Sequence, residues 1–388
     1  MRSFLIFIFI SLAILVYALV NFYIFIKGWQ ALDGARREWR LAYAAAFIVL
    51  AGSFIAGRFL ERAGSSIFTE ILVWVGSFWL AVMLYGFLAA ALSDLIMLTA
   101  GLLKVGTLKL LPTGAAWKLW TFIVTAGLIL IITVAGFFNA CKVRVKKLEL
   151  GIPKKAGQLK QLKVTMASDI HLGTIIGNGR LGRLVEKINA TDPDLVLLAG
   201  DIVDEDIGPV IRGDMGKKLK GIKARYGVIG ITGNHEYIGG SKKAVDYLEA
   251  HGIKMLLDDK ILIGDALWVV GRKDRSGARF EGSPRKQLKD ILSGIDKDLP
   301  IILLDHQPFN LEEVESSNVD LQLSGHTHHG QLWPLNFITN RVYEKSWGYL
   351  KKGMTHFYVS SGAGTWGPPV RTGNHPEIVS IKINFSNQ

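Results

Sequence analysis

Eight side chains in the second half of the chain have types and spacings suited to holding metal ions: Asp169, His171, Asp201, Asn234, His235, His306, His326 and His328. They occur as Asp169-Ile170-His171, Gly200-Asp201, Gly233-Asn234-His235-Glu236, Asp305-His306 and Gly325-His326-Thr327-His328. A carboxylate and an imidazole two residues apart on an extended segment point to the same side and can share one ion. Oxygen and imidazole donors without thiolate suit Mn²⁺, Fe or Zn²⁺. The single cysteine, Cys141, excludes a disulfide framework and a cysteine-based zinc site, and it reads as a small buried hydrophobe at the end of an apolar run. Eight donors are too many for one ion, so the set predicts two divalent cations about 3.5–4 Å apart, bridged by a carboxylate. Such a pair clamps a phosphoryl group and makes hydroxide available near neutral pH.

Each cluster follows a short apolar run, as if leaving the end of a strand. The runs are Leu162–Ala167, Leu195–Ala199, Gly227–Thr232, Ile301–Leu304 and Leu321–Leu323. Helical patterns are expected near Leu181–Asn189, Asp214–Lys223, Lys242–Ala250 and Arg285–Ser293. Buried strands alternating with helices indicate an α/β fold, in which ligand sites collect at the carboxyl ends of the strands. Every donor falls at such an end.

The first part of the chain has a different texture. The 388 residues have a mean hydropathy of +0.29, and the apolar excess lies before residue 145. Four membrane spans are predicted: Phe4–Ile26, Leu41–Leu60, one within Ile71–Leu103, and Leu119–Cys141. The first is too long for a signal-peptide core and lacks a small-residue cleavage site, so it reads as an uncleaved helix. Asp94 is read as marking the third helix leaving the bilayer. The division expected is therefore a transmembrane region of about four helices over 1–145 and a soluble domain over 146–388.

The net charge of +12 is unevenly spread: eight Lys and Arg lie between Lys142 and Lys163, opposed only by Glu149. Without interleaved aromatics this cluster does not read as a nucleic-acid groove, and no nucleic-acid partner is expected. Beside a span, it suggests attraction to anionic lipid. With the N-terminus inside, the inner side holds Arg2, Arg58, Arg62 and those eight; the outer holds Lys27, Arg36, Arg37, Arg40, Lys104, Lys109 and Lys118. Eleven against seven places a multi-pass protein in the cell membrane with its soluble domain in the cytoplasm.

The five motifs, in this order over Val164–His328, resemble the calcineurin-like metallophosphoesterase family. The stretch Ser361-Gly362-Ala363-Gly364-Thr365-Trp366-Gly367-Pro368-Pro369-x-Arg371 resembles a bacterial membrane-associated subgroup of it. The resemblance covers the soluble part and not the four spans. It implies a four-layer α/β/β/α sandwich. It assigns Asp169, His171 and His328 to one metal, Asn234, His306 and His326 to the other, and Asp201 to both. His235 would face the phosphate and act as general acid, oriented by Asp204. His329 stands where subgroup members more usually have Gly, and it is a candidate for touching substrate. Arg371 is a candidate for holding a substrate phosphate by bidentate bonds.

The chemistry expected is hydrolysis of a phosphoester by metal-activated hydroxide, the ester being attractive as a lipid-borne one beside four spans. Pyrophosphate cleavage of a UDP-diacylglucosamine-type lipid precursor is a second expectation, since some relatives do this. A nucleic-acid phosphodiesterase and a non-catalytic membrane sensor with a retained metal site are the readings from other classes.

Overall fold

A computed structural model describes residues 2–64, 66–102 and 114–386. They form two compact units, 1–135 and 136–388.

The first unit contains α1 (Arg2–Ala31), α2 (Arg37–Ala63), α3 (Ile67–Leu102) and most of α4 (Ala115–Ala140). All four helices are long and apolar enough to cross a bilayer. The outermost turns extend beyond the apolar runs at most ends, because a helix continues through the interface where backbone bonds remain cheapest inside it. Leu103, Lys104 and Lys109 lie outside the described residues. Helices α2 and α3 meet backbone to backbone: a Cβ on Gly76 would fall 2.3 Å from the Cα of Phe54. Small residues permit that approach where there is no hydrophobic drive between helices. Several polar side chains in this unit are paired. Trp79 Nε1 donates to Asn21 Oδ1 at 2.9 Å. Asp94 sits eight residues before the end of α3, where Lys27 and Tyr23 of α1 both bond its carboxylate.

The second unit is built on twelve strands: β1 (Arg144–Ile152), β2 (Gln161–Ala167), β3 (Leu195–Ala199), β4 (Val228–Ile231), β5 (Ile253–Met255), β6 (Asp259–Ile263), β7 (Leu267–Gly271), β8 (Ile301–Leu304), β9 (Leu321–Ser324), β10 (Gly348–Lys352), β11 (Thr355–Val359) and β12 (Glu377–Phe385). One sheet has the order β1-β12-β2-β3-β4-β5 and the other β10-β11-β9-β8-β7-β6. Strands β2 to β5 run parallel, as do β7, β8, β9 and β11. Parallel strands covered on both faces read as unbroken apolar runs, which is why β3 and β8 show no alternation in sequence.

The two sheets pack face to face. Leu162, Val164 and Met166 of β2 and Leu197 and Ala199 of β3 share one core with Val269 of β7, Ile302 and Leu304 of β8, and Leu321 and Leu323 of β9. The opposite faces are covered by helices. Helix Asn178–Asn189 buries Leu181, Leu184, Val185 and Ile188, an i, i+3, i+4, i+7 stripe. Behind the second sheet, Leu288, Ile291, Leu311 and Val314 pack on Val270, Ile301 and Leu303. The architecture is thus the four-layer α/β/β/α sandwich.

Two expected helices are much shorter than their sequence pattern. Asp214–Lys223 contains only Gly216–Leu219, with glycine at its first residue and Gly221 just past its end, both poor helix formers. Arg285–Ser293 is helical only over Leu288–Ile291. The basic cluster is also partly explained by the fold. Arg144, Lys146 and Lys147 are exposed on the edge strand β1, where charge blocks pairing with another chain, while Lys154 and Lys163 are paired with Asp320 and Asp192.

Candidate metal centre

The donors converge from both sheets. Asp169 and His171 leave β2, Asp201 leaves β3, and Asn234 and His235 follow β4; His306 leaves β8, and His326 and His328 follow β9. Backbone bonds tie these loops together. Asp169 N donates to Gly200 O at 3.0 Å, His171 N to Asp201 O at 3.0 Å, and Gly325 N to His306 O at 2.9 Å. Asp169, His171, Asp201, His326 and His328 all adopt left-handed backbone, with φ between 44° and 72°. For residues other than glycine this costs on the order of 1 kcal/mol or more each, and such strain collects at functional sites. Glycines let the loops close: a Cβ on Gly233 would lie 2.2 Å from Asp201 Oδ1, and one on Gly325 would lie 2.2 Å from Asp169 Oδ2.

Three groups of donor atoms result among the described residues, and two of them gather the predicted ligands. In the first, Asp169, His171 and His328 lie together, with the two Nε2 atoms 3.0 Å apart and His328 Nε2 3.6 Å from Asp169 Oδ1. In the second, Asp201, His306 and His326 lie together, His306 Nε2 is 3.1 Å from Asp201 Oδ2, and His326 Nδ1 is 2.8 Å from Asn234 Oδ1. Asp201 Oδ2 is also 3.8 Å from His171 Nε2, so one carboxylate oxygen faces both groups. Two donors with bonds of about 2.1 Å at right angles on one ion are about 3.0 Å apart, close to the spacings seen.

The donor chemistry fits cations as well as the spacing does. Asp169 Oδ2 and His306 Nε2 are buried with no hydrogen-bond partner. His306 Nδ1 bonds to Ala199 O at 2.7 Å, which places its proton there and turns the Nε2 lone pair into the site. Burial would raise the Asp201 carboxyl, but the facing His306 and His235 rings outweigh it and hold it well below the usual carboxylate range. Burial, reinforced by His171 and Arg371, pushes His328 well below the usual imidazole range, the neutral state a ligand needs.

His235 lies outside these two groups and forms the third, with Asp204 and His171. Its Nδ1 is 3.0 Å from Asp204 Oδ1, and its ring is 4.5 Å from that of His171. Burial works against its protonation, but Asp201 and the hydrogen-bonded Asp204 overcome it and raise His235 to about 9. The imidazolium is therefore the dominant form at neutral pH.

The chain from 162 to 330 matches the Calcineurin-like phosphoesterase family profile. An uncharacterized metallophosphoesterase of Aquifex aeolicus is 30% identical over 226 residues, which cover 58% of this chain and 85% of that protein. The chain belongs to the calcineurin-like phosphoesterase family. An uncharacterized metallophosphoesterase of Campylobacter jejuni is 34% identical over 252 residues, 64% of this chain and 66% of its own length. A Danio rerio protein named as a transmembrane protein with a metallophosphoesterase domain is 30% identical over 266 residues, 65% of this chain and 60% of that one. The chain matches 66% of the length of the Campylobacter jejuni protein and 61% of that of an uncharacterized metallophosphoesterase of Helicobacter pylori.

Within this phosphoesterase domain the two remaining expected site residues behave differently from the donors. Arg371 has 0% exposure, so it does not reach a substrate. Its guanidinium donates to Gly364 O through Nε at 3.1 Å and Nη2 at 2.6 Å, to Gly362 O and to Asn374 Oδ1, and its Nη2 lies 3.2 Å from His328 Nδ1. It backs His328 instead of contacting phosphate, because the Gly362–Gly364 turn folds over it. Burial lowers it to about 10, which leaves it charged at neutral pH. His329 bonds Ser346 Oγ at 3.0 Å and stacks near Trp347, and it joins none of the donor groups found among the described residues.

Sequence reasoning missed Glu236. Its buried carboxylate accepts from Gly233 N at 2.7 Å, Val203 N at 2.9 Å and Asp201 N at 3.2 Å. It therefore locks the loop carrying Asp201 to the one carrying Asn234. Its place three residues after Gly233, at a helix start, was the available signal.

Proposed function

We propose that this protein is a membrane-anchored, two-metal phosphoesterase in which water attacks phosphorus and a P–O bond to the leaving group breaks. Asp169, His171 and His328 would hold one divalent cation and Asn234, His306 and His326 the other, with Asp201 between them; Mn²⁺, Fe and Zn²⁺ all suit this donor set. Such cations, when bound, lower the pKa of water and neutralise phosphoryl charge. The carrying observation is that Asp201 Oδ2 faces both donor groups, at 3.1 Å from His306 and 3.8 Å from His171.

His235 supplies the proton. Held by Asp204 and protonated at neutral pH, it gives that proton to the departing oxygen, a role worth about 10²–10⁴-fold. The excess of inner-side Lys and Arg supports a cytoplasmic domain. The test is metal content and turnover of a generic aryl phosphodiester by the full chain in detergent. Two ions per chain with turnover, both lost in Asp201→Asn, is the expected result. Two ions retained without hydrolysis of any phosphoester in a lipid and soluble panel would favour a sensor.

A further inference from the structure

One large aromatic side chain beside the metal centre is exposed although the stretch leading to it is buried. Residues 360–365 are all buried, and Trp366 after them is 52% exposed. The stretch lies against the loop of Asp169 and His171. Ala363 N donates to Ser168 O at 2.9 Å and Gly364 N to Asp169 O at 2.8 Å, and a Cβ on Gly364 would fall 2.0 Å from Ile170 O. A second hold comes from Gln331, buried three residues after His328. Its Nε2 donates to Trp366 O at 3.0 Å and to Pro368 O at 2.9 Å, and its Oε1 accepts from Trp366 N at 3.0 Å. Both backbone groups of Trp366 are therefore tied, and the loops that set the first donor group also set the indole.

The indole meets His235. The two ring centres are 5.8 Å apart with their planes at 73°, an edge contact, so the imidazole does not lie flat on the indole. His235 Nδ1 is 3.0 Å from Asp204 Oδ1, which leaves Nε2 for the departing oxygen. That oxygen must come within about 3 Å of Nε2 for the proton to pass. A ring bonded to it then comes within range of the indole, since aromatic centres interact at separations of about 4.5–7 Å.

The ring beside the second donor group differs. Tyr343 lies 6.2 Å from His326 but is half-buried and packs on Phe309 at 4.8 Å, over which Arg275 lies in turn at 5.1 Å. Single exposed apolar residues are ordinary on protein surfaces, so exposure alone says nothing about Trp366. Its place does: a large aromatic on a tied backbone stands next to the proton donor, where the leaving group departs.

We propose that Trp366 determines leaving-group specificity, its exposed indole taking a planar ring carried on the oxygen that His235 protonates. This subsite rests on the phosphoesterase reading above and narrows its substrate class. A planar ring brings a π-face and apolar area together and freezes few torsions on binding, so it gains more from an indole than a methyl group does.

Benzylphosphonate and ethylphosphonate carry CH₂ in place of the ester oxygen of phenyl and methyl phosphate, so they bind without being hydrolysed. Each is titrated calorimetrically into the full chain in detergent, loaded with Mn²⁺. Wild type should bind the benzyl compound at least about ten-fold more tightly than the ethyl one. Trp366→Ala should bring the ratio of the two Kd values close to one, and Trp366→Phe should keep most of it. Trp366→Leu retains apolar bulk without a π-face, should follow the Ala variant, and serves if that variant fails to fold. A wild-type ratio near one overturns the subsite. So does a ratio that survives the Ala or Leu substitution while both Kd values weaken together, the mark of a wall that merely supports His235. If wild type holding two ions binds neither compound, the phosphoesterase reading fails and the subsite falls with it; tight binding of both compounds at equal Kd refutes the subsite alone.

Discussion

Replacing Arg371 with Met separates a buried support from a substrate contact. The side chains are similar in length, so packing is largely kept while every guanidinium bond is lost. Gly362 O still accepts from Glu377 N at 2.9 Å. Gly364 O and Asn374 Oδ1 lose the partners described for them and remain buried. At about 1–3 kcal/mol for each orphaned acceptor, the loss is about 2–6 kcal/mol. That is a large part of the ~5–15 kcal/mol typical of a domain. In a unit of this size it lowers the melting temperature by about 5–20 °C. Tryptophan-fluorescence melts of the full chain in nanodiscs, with and without chelator, would measure it. Metal content should fall and KM for a soluble aryl phosphodiester should change little, because the guanidinium sits behind His328. A variant that melts within about 2 °C of wild type, keeps its metal and raises KM ten-fold would refute this reasoning.

Other consequences are as specific. Asp201→Asn should reduce bound metal from about two ions per chain to fewer than one by elemental analysis, since both donor groups face that carboxylate. His235 is raised to about 9, above its unfolded value near 6.5. Its contribution to stability is therefore present below that unfolded value and lost as pH rises through about 9, and activity should fall over the same upper range, earlier when cations are bound. Asp204→Asn removes a hydrogen bond and a charge that both raise this pKa, so the alkaline limb of the pH–rate profile should move down by about one unit; an unmoved limb contradicts the pairing. Glu236→Ala strands the N–H groups of Asp201, Val203 and Gly233 and should cost at least about 3 kcal/mol in denaturant titration, with Glu236→Gln intermediate because it keeps one acceptor oxygen.

Much of the centre was legible before folding. The donors Asp169, His171, Asp201, Asn234, His235, His306, His326 and His328 each follow a short apolar run, and both the run and the turn after it are local properties of the chain. The four spans are likewise visible because an apolar stretch of bilayer length needs no partner to be recognised. Asp204 lies close enough in sequence to Asp201 for its neighbourhood to be foreseen.

Long-range packing decided the rest. Strand β12, at the end of the described chain, inserts between β1 and β2, parallel to one and antiparallel to the other, and no local pattern specifies that register. Arg371 has the composition of a phosphate clamp; its burial follows only from the Gly362–Gly364 turn and Asn374 closing around it. Whether a charged side chain meets substrate or protein depends on which distant backbone carbonyls arrive beside it. The sequence by itself determined which donor types are present and that they end strands; the tertiary structure alone determined their sorting into two groups around Asp201, because that requires two separate sheets to bring their loops to one edge.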